Sequence, residues 1–293
     1  MSERLYQIGG FKFAYSVAQL CPRPWSHWMA ERVAIAGARN RPEARIAMLE
    51  NLRRAIGGTD AERDAAYWRG IRNFGRMLAD YFITAPGRHN LLDSMFGLSS
   101  GWEHVEQARA KGRGTIIVTG HIGHWELGAQ WLSRCGVPLT IATLPEPSNE
   151  LSAWRTAARR IQGIKTLEVG PSREFSFVEM LGVLRRNEAL AILVDRPYMN
   201  SGLKVGQFEC STDFSMGAAM LAHYTGAAVI PAFVFAKPDW TYESVAMPEV
   251  PMEGGPLRQT MPVNTQRIAD VFASLIRKYP EQWFNYVPLY TRI

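Results

Sequence analysis

The chain has 293 residues, of which 47% are hydrophobic and 20% are charged, a composition that excludes wholesale disorder and supports a sizeable core. Its formal charge of +6, with a pI near 9.3, favours anionic partners such as phospholipid headgroups, acidic carrier proteins, phosphorylated sugars or nucleic acid. Three scattered cysteines argue against a disulfide framework and are typical of a reducing compartment. No run approaches the roughly 20 apolar residues of a membrane span, so a soluble or peripherally bound cytoplasmic protein is expected.

The first third of the chain has the periodicity of helices. The spacing of apolar residues predicts a helix over 41–56, ended by a Gly-Gly pair, and a second, longer helix that reaches about residue 82. Thr59 and Glu62 fit a capping box at the start of this second helix, in which each side chain would bond a backbone amide of the other residue. We therefore predict an N-terminal helical cap over residues 1–95.

Aromatic and basic side chains lie close together near the start of this cap. Two interpretations remain open: the residues form an amphipathic segment that lies in a membrane interface, or they form the buried face of an ordinary helix. The residues concerned are Phe11, Lys12, Phe13, Arg23, Trp25, Trp28 and Arg32.

The pattern of apolar residues changes after residue 100, where short apolar runs alternate with helical stretches. The runs are rich in Val and Ile and apolar on both faces, as central strands of a parallel sheet are. The predicted strands are Thr115–Thr119, Leu139–Thr143, Leu190–Val194 and Ala228–Phe235. The predicted helices lie near 124–135, 150–162, 174–186, 213–225 and 265–279. The predicted fold class is α/β, with a mostly parallel central sheet flanked by helices over residues 96–293.

The most informative stretch has the sequence GHIGHWEL, residues 120–127. A predicted strand ends there and a helix begins almost at once, and crevices at the carboxyl ends of such strands bind ligands in open α/β sheets. His121 would lie in this crevice. Glu126 follows five positions later, about 140° around a helix, so the two side chains meet only if the loop turns the ring back. Such a dyad can deprotonate a hydroxyl that then attacks a thioester carbonyl, and Gly123 would leave helix amides open to the developing charge.

Other site chemistries are poorly supported. His121, His124 and Glu126 lack the His-x3-His spacing of a helical zinc pair, so we predict no metal site and interpret His124 as a packing or hydrogen-bonding residue. The chain has no Gly-x-Ser-x-Gly elbow, no Walker loop and no GxGxxG opening a helix after a strand. Basic residues are spread along the chain without a recognisable module, so no nucleic-acid partner is expected. A non-catalytic lipid- or membrane-binding protein of the same fold is the alternative to an enzyme.

Five segments give the sequence a specific resemblance. The His-x4-Glu motif resembles the His-x4-Asp/Glu motif of the bacterial lipid A biosynthesis acyltransferases, the late lauroyl and myristoyl acyltransferase family. Four further segments resemble elements of that family in the same order along the chain. They are WRTAARR at 154–160, VDRP at 194–197, SMGAAMLA with TGAAVIP within 215–231, and YPEQW at 279–283.

The resemblance implies one chemistry. A fatty acyl group, carried by acyl carrier protein or coenzyme A as a co-substrate, is transferred to a hydroxyl of a lipid A-like or other glycolipid acceptor, with no further cofactor. His121 would be the general base and Glu126 its acidic partner. Asp195, at the end of another strand, is an alternative or additional partner, and which carboxylate orients the ring stays open.

The resemblance also implies substrate contacts and a location. Arg159, Arg160, Arg196 and Gly123 would contact substrate, with Arg159 binding phosphate or orienting the site. The enzyme would act as a peripheral protein at the cytoplasmic face of the inner membrane, which favours the interfacial interpretation of the aromatic residues. The N-terminus is more polar than in members that act on lipid A, and the ending at 283–290 lacks a His-Arg-Arg-like run. The acceptor therefore stays open, and a lipid-tailed metabolite is an alternative.

Overall fold

A computed structural model describes residues 8–170, 175–198 and 202–290, which form eleven helices and nine strands. The helices are α1 (Ile8–Leu20), α2 (Arg23–Arg39), α3 (Pro42–Ile56), α4 (Asp60–Thr84), α5 (His89–Met95), α6 (Trp102–Ala110), α7 (Trp125–Arg134), α8 (Asn149–Ile161), α9 (Ser176–Arg185), α10 (Gly217–Thr225) and α11 (Leu257–Lys278). The strands are β1 (Phe96–Ser100), β2 (Thr115–Thr119), β3 (Leu139–Thr143), β4 (Lys165–Glu168), β5 (Ala189–Leu193), β6 (Gly202–Gln207), β7 (Cys210–Ser215), β8 (Ala228–Ala236) and β9 (Tyr242–Ala246).

Helices α1 to α5 precede the first strand. The predicted capping box is confirmed at the start of α4, where the Glu62 backbone amide donates to the Thr59 hydroxyl and the Thr59 amide donates to the Glu62 carboxylate at 2.7 Å. Helix α4 packs closely on α2, because a Cβ at Gly75 would lie only 2.7 Å from the Ala30 carbonyl oxygen. In the described part of the chain, no helix is both long enough and apolar enough to cross a membrane.

Seven strands form one sheet in the order β1-β9-β8-β2-β5-β3-β4. The predicted mostly parallel α/β fold is confirmed, since β8 and β9 are the antiparallel pair and the other described neighbours run parallel. Strand β2 lies in the middle between β5 and β8, and all five of its residues are buried. Its last residue, Thr119, is level with Leu193 of β5, so the chain leaves both strands at the same edge of the sheet.

The side chains of β2 alternate between two cores. Ile117 packs in one cluster with residues of α6 and α7, whereas Ile116 and Val118 pack in a larger cluster with residues of α9, α10 and α11. Side chains of α3 and α4 join this larger cluster. The helical first third of the chain is therefore packed into the same core as one face of the sheet.

One predicted helix begins too early. The helix predicted over 213–225 starts at Gly217, because Cys210–Ser215 is a strand that pairs with Gly202–Gln207 in a two-stranded antiparallel sheet. Burial alternates strictly along this strand, with Cys210, Thr212 and Phe214 on the buried side, which is the period of a strand. The first residue of the helix predicted over 174–186 lies outside the described residues.

Candidate active site

The carboxyl ends of β2 and β5 bring His121 and Asp195 together. The His121 ring Nδ1 lies 2.9 Å from Asp195 Oδ1, and the His121 backbone amide donates to Asp195 Oδ2 at 2.8 Å. Because an ionised carboxylate only accepts hydrogen bonds, Nδ1 is the donor, and in the neutral ring Nε2 is left as a proton acceptor. This is the protonation state that a general base requires.

The two partners differ in exposure. The Asp195 side chain is 5% exposed and the His121 side chain is 23% exposed, so the ring is the part of the pair that a substrate can reach. Burial by itself would raise the pKa of Asp195, but the charge of the His121 ring, its hydrogen bonds and Arg196 together lower that pKa below its ordinary value. The carboxylate therefore stays ionised, and it stabilises the imidazolium that forms when the ring takes up a proton.

Glu126 lies in the first turn of α7 and forms its hydrogen bonds with an arginine, not with His121. Its carboxylate accepts from Arg159 of α8, with Arg159 Nη2 at 2.5 Å from Oε1 and Nε at 3.3 Å from Oε2. Burial would raise the pKa of Glu126, whereas Arg159 and Arg155 lower it to about 2. The His121 ring thus donates its hydrogen bond to Asp195, and among the described residues Glu126 bonds Arg159 in place of the His121 ring that the family resemblance implied.

The four predicted substrate-contacting residues fall into different surroundings. Arg159 is buried in its ion pair with Glu126, whereas Arg160 is exposed on α8. Arg196 lines the cavity beside His121, where its guanidinium donates to the Phe284 carbonyl oxygen at 2.8 Å. Gly123 has a φ of +65°, and a Cβ there would lie 2.2 Å from the Val234 carbonyl oxygen. Close packing therefore requires this glycine.

The backbone amides of Gly123 and His124 already donate hydrogen bonds to other residues of the protein. The Gly123 amide donates to the Gln282 carbonyl at 2.8 Å, and the His124 amide donates to the Val234 carbonyl at 2.7 Å. The expectation that Gly123 leaves open amides for a developing negative charge therefore does not fit these two groups.

His124 caps α7 by accepting from the Leu127 amide through Nδ1, and burial lowers the pKa of His124 to about 4. It is a structural residue, in agreement with its interpretation from the sequence.

The segment that contains YPEQW holds the His121 loop in place. The Phe284 amide donates to the His121 carbonyl at 2.7 Å, and Trp283 pairs with Ile122 in an antiparallel bridge. The Gln282 side chain bonds both the amide and the carbonyl of Ala236 at the end of β8. Residues about 160 positions away in the chain thereby fix the loop that carries the histidine.

Asn285 is a site residue that the sequence did not reveal. It is completely buried, its Oδ1 accepts from Arg196 Nε at 2.5 Å, and its Nδ2 lies 3.4 Å from Asp195 Oδ2. Asn285 therefore connects the Arg196 guanidinium to the carboxylate that bonds His121. Its position two residues after the YPEQW segment was the only signal in the sequence.

A cavity of about 1190 Å³ opens at His121, which exceeds the range of roughly 300–1,000 Å³ that is usual for ligand pockets. One part of its wall is formed by the sheet and α7, with small or aliphatic side chains at Ile117, Ala129, Ile141, Ala191 and Ala232. Another part is formed by the N-terminal helices, with apolar side chains at Phe11, Val17, Met29, Val33, Phe74 and Leu78. The wall suits a ligand with a long apolar portion.

The described residues hold no group of three or more His, Cys, Asp or Glu side chains that could bind a metal ion.

The fold and site define an α/β enzyme in which a histidine–aspartate pair, set at the ends of two adjacent parallel strands, faces a large apolar cavity. Residues 10–291 match the family described as bacterial lipid A biosynthesis acyltransferase. The chain belongs to this family and is an acyltransferase, which confirms the resemblance and the enzyme class predicted from the sequence.

Characterised relatives have a common name. A phosphatidylinositol mannoside acyltransferase of Mycolicibacterium smegmatis (strain ATCC 700084 / mc(2)155) is 27% identical over 269 residues, which cover 89% of this chain and 84% of the relative. Phosphatidylinositol mannoside acyltransferases of two strains of Mycobacterium tuberculosis, CDC 1551 / Oshkosh and H37Rv, are each 26% identical over 246 residues, or 82% of this chain and 75% of the relatives.

Proposed function

We propose that this acyltransferase moves a fatty acyl group from a thioester donor, acyl carrier protein or coenzyme A, to a hydroxyl of a membrane glycolipid. The observation that carries the proposal is the His121–Asp195 pair, whose ring is accessible from a large apolar cavity. His121 is the general base, and Asp195 is the residue that positions its ring. Glu126 supports the site from α7 through its ion pair with Arg159.

The reaction needs one proton acceptor and no cofactor. His121 Nε2 takes the proton of the acceptor hydroxyl while the oxygen attacks the thioester carbonyl and forms the new C–O bond. The tetrahedral adduct then collapses, the C–S bond breaks, and the imidazolium returns its proton to the leaving sulfur. Asp195 stabilises the imidazolium between these two steps, because it is buried, ionised and hydrogen-bonded to the ring.

The names of the relatives favour a glycolipid acceptor. The three mycobacterial relatives are named for a mannosylated phosphatidylinositol, whereas the matching family is named for lipid A. Both acceptors are lipids that present sugar hydroxyls at a membrane surface. We therefore propose an acceptor of this chemistry, a lipid A-like or other glycolipid, in place of a lipid-tailed metabolite.

The acyl chain is proposed to lie in the apolar cavity. Small side chains at Gly128, Ala129, Ala191 and Ala232 leave room between α7 and the sheet. The carbonyl end of a chain in this space would face His121, which lines the same cavity. Burying the methylene groups stabilises the bound donor by about 0.8 kcal/mol for each group.

The N-terminal helices are proposed to bind the membrane surface peripherally, on the cytoplasmic face of the inner membrane. Phe13 on α1 is 71% exposed, and Trp25 and Trp28 on α2 are 62% and 54% exposed. Aromatic rings of this kind are favoured at the level of lipid headgroups. The first 95 residues also contain 14 Lys and Arg against nine Asp and Glu, while the remaining residues contain 19 against 18. The basic charge is thus concentrated beside the exposed aromatic rings.

The experiment that tests the proposal measures thiol release from a panel of long-chain acyl-coenzyme A and acyl-acyl-carrier-protein donors, with and without glycolipid acceptors. Acceptors include phosphatidylinositol mannosides and a lipid A precursor, and each product is identified by mass. The wild-type protein is compared with His121→Ala, whose fold is checked by circular dichroism. Release that depends on the acceptor and is lost in His121→Ala supports the proposal. Equal release by both proteins overturns the role of His121, and acylation of a non-lipid acceptor alone overturns the proposed acceptor class.

A further inference from the structure

Three arginines converge on a second cleft, which is separate from the cavity at His121. The cleft has a volume of about 410 Å³ and lies between α2 and α4. Its lining residues are Arg32, Ile35, Ala36, Arg39, Trp68 and Arg72. In the described part of the chain, none of the three guanidinium groups forms an ion pair with a carboxylate, in contrast to Arg76 on the next turn of α4 and Arg45 on α3.

Three exposed like charges around one cleft repel one another unless an anion neutralises them. A guanidinium group donates two parallel hydrogen bonds to a phosphate, and its charge is a good match for a phosphate anion. The base of the cleft is held in place, because Ile35 and Trp68 pack against the main hydrophobic core. The cleft therefore combines an apolar base that is fixed by the core with three exposed guanidinium groups on its wall.

The position of the cleft on α2 indicates the source of the phosphate. At 100° per residue, Trp25, Trp28, Arg32 and Arg39 fall within one arc of about 60° on α2. The Arg32 guanidinium lies 5.6 Å from the centre of the Trp28 ring, so the aromatic and basic residues form one continuous surface. A helix face with tryptophans at one end and arginines at the other is typical of a helix that lies in a lipid interface, with the rings among the headgroups and the cations on the phosphates.

We propose that Arg32, Arg39 and Arg72 form a binding site for the headgroup phosphate of an anionic membrane lipid, which docks α2 on the bilayer surface. The inference rests on the proposed action at a membrane, which it deepens by naming the lipid chemistry that the surface recognises. Docking through this cleft orients the enzyme, since α2 also contributes Met29 and Val33 to the wall of the cavity at His121.

The test measures binding of the full chain to vesicles by co-sedimentation, without turnover. Vesicles of phosphatidylcholine alone are compared with vesicles that also contain phosphatidylglycerol. The wild-type protein is compared with Arg32→Gln/Arg39→Gln/Arg72→Gln and with a control of equal charge, Arg113→Gln/Arg185→Gln/Arg258→Gln, which changes exposed arginines of the α/β core. Each arginine near an anionic surface contributes a factor of about five, so the cleft variant should bind the anionic vesicles roughly 100-fold more weakly. The control should retain most of the wild-type affinity.

Other results overturn the inference. Equal losses in the two variants would show that the overall charge, and not the cleft, is recognised. If the cleft variant binds vesicles as tightly as the wild type does, the cleft is not a headgroup-binding site. If the cleft variant instead loses only the transfer from acyl carrier protein, the cleft binds the acidic carrier. If inorganic phosphate alone stabilises the wild-type fold and the substitutions leave vesicle binding unaffected, the ligand is free phosphate. Transfer to an acceptor in detergent micelles, measured in parallel, reports on the proposed function independently of vesicle binding.

Discussion

Two buried aspartates of this protein each bond a histidine ring at nearly the same distance, and they do so in different surroundings. Asp195 lies 2.9 Å from His121 Nδ1, and Asp80 lies 2.8 Å from His27 Nε2. Asp80 also accepts two hydrogen bonds from Arg23 at 2.8 Å each and one from the Tyr242 hydroxyl at 2.5 Å. The Asp80 charge is therefore balanced by an arginine, whether or not the His27 ring is protonated.

We propose another role for Asp195, because its histidine is open to the cavity. His121 lines the cavity of about 1190 Å³, whereas His27 does not. Burial would raise the pKa of Asp80, but Arg23 and His27 lower it to about 2, so this carboxylate is an ionised centre that joins α2, α4 and β9. The geometry of a histidine–aspartate pair does not identify an active site by itself. Access to a ligand cavity is the observation on which we propose that His121–Asp195 is catalytic and that His27–Asp80 is structural.

The largest expected effect is that of Asp195→Asn. The asparagine oxygen can accept from the His121 ring or from its backbone amide but not from both, and the charge that stabilises the protonated ring is lost, so kcat for acyl transfer should fall by about 10²–10⁴-fold. KM for the donor should change little, because the residue acts on the ring and not on the acyl chain. Steady-state kinetics measure both constants. A kcat within a few-fold of wild type would contradict the role assigned to Asp195.

Asp80→Asn provides the matched variant for the second pair. The substitution removes the charge that pairs with Arg23 and leaves one oxygen for donors that shared two, and breaking a buried ion pair costs about 3–5 kcal/mol. Chemical denaturation should show this loss in the free energy of unfolding. The rate of transfer per folded molecule should stay close to that of the wild type, and a large fall in that rate would show that the two pairs are not separate in function.

Glu126→Gln should resemble Asp80→Asn more than Asp195→Asn. The substitution leaves Arg159 buried without its carboxylate, which is expected to lower the free energy of unfolding by about 3 kcal/mol. Replacing both partners, in Glu126→Gln/Arg159→Met, should recover part of this stability because no buried charge remains. If Glu126→Gln instead keeps its stability and loses transfer as Asp195→Asn does, then Glu126 acts on His121 directly, as the family resemblance implies.

The smallest expected effect concerns His124, which belongs to neither histidine–aspartate pair. Its pKa is about 4 in the folded protein and near 6.5 when the ring is free in water, so the unfolded chain takes up the proton first as the pH falls. Stability contributed by the neutral ring is therefore complete above about pH 7 and is lost towards pH 4, by about 2 kcal/mol at about pH 5. His124→Asn keeps an acceptor for the Leu127 amide but does not titrate. Its unfolding free energy should fall less than that of the wild type between these pH values, and parallel curves would contradict this assignment.

Local sequence patterns predicted much of the fold. The strands at 115–119 and 139–143 have the predicted bounds, and the Thr59–Glu62 capping box forms as expected, because each depends on residues that are close in the chain. The hairpin of β6 and β7 was missed, since its short polar strands lack the apolar run that marks a central strand. The same limit applies to β1, β4 and β9 at or near the ends of the sheet order.

The sequence identified candidate residues for the site, but it did not show how these residues contact one another. His121, Asp195 and Glu126 were all identified as candidates, but which carboxylate bonds the ring depends on the order of strands in the sheet. Because β5 is the neighbour of β2, Asp195 follows at the same edge as His121, and no local spacing shows that order. Asn285 was missed for the same reason, since it reaches Asp195 across 90 positions of the chain.

The central claim is that His121, and not the similarly bonded His27, takes the proton from the acceptor hydroxyl. The most direct measurement is the single-turnover rate of acyl transfer by His121→Gln and His27→Gln, each assayed under conditions in which both variants are folded. We predict that His121→Gln is slower than wild type by about 10²–10⁴-fold and that His27→Gln stays within a few-fold of it. A wild-type rate in His121→Gln, or equal losses in the two variants, would contradict the claim.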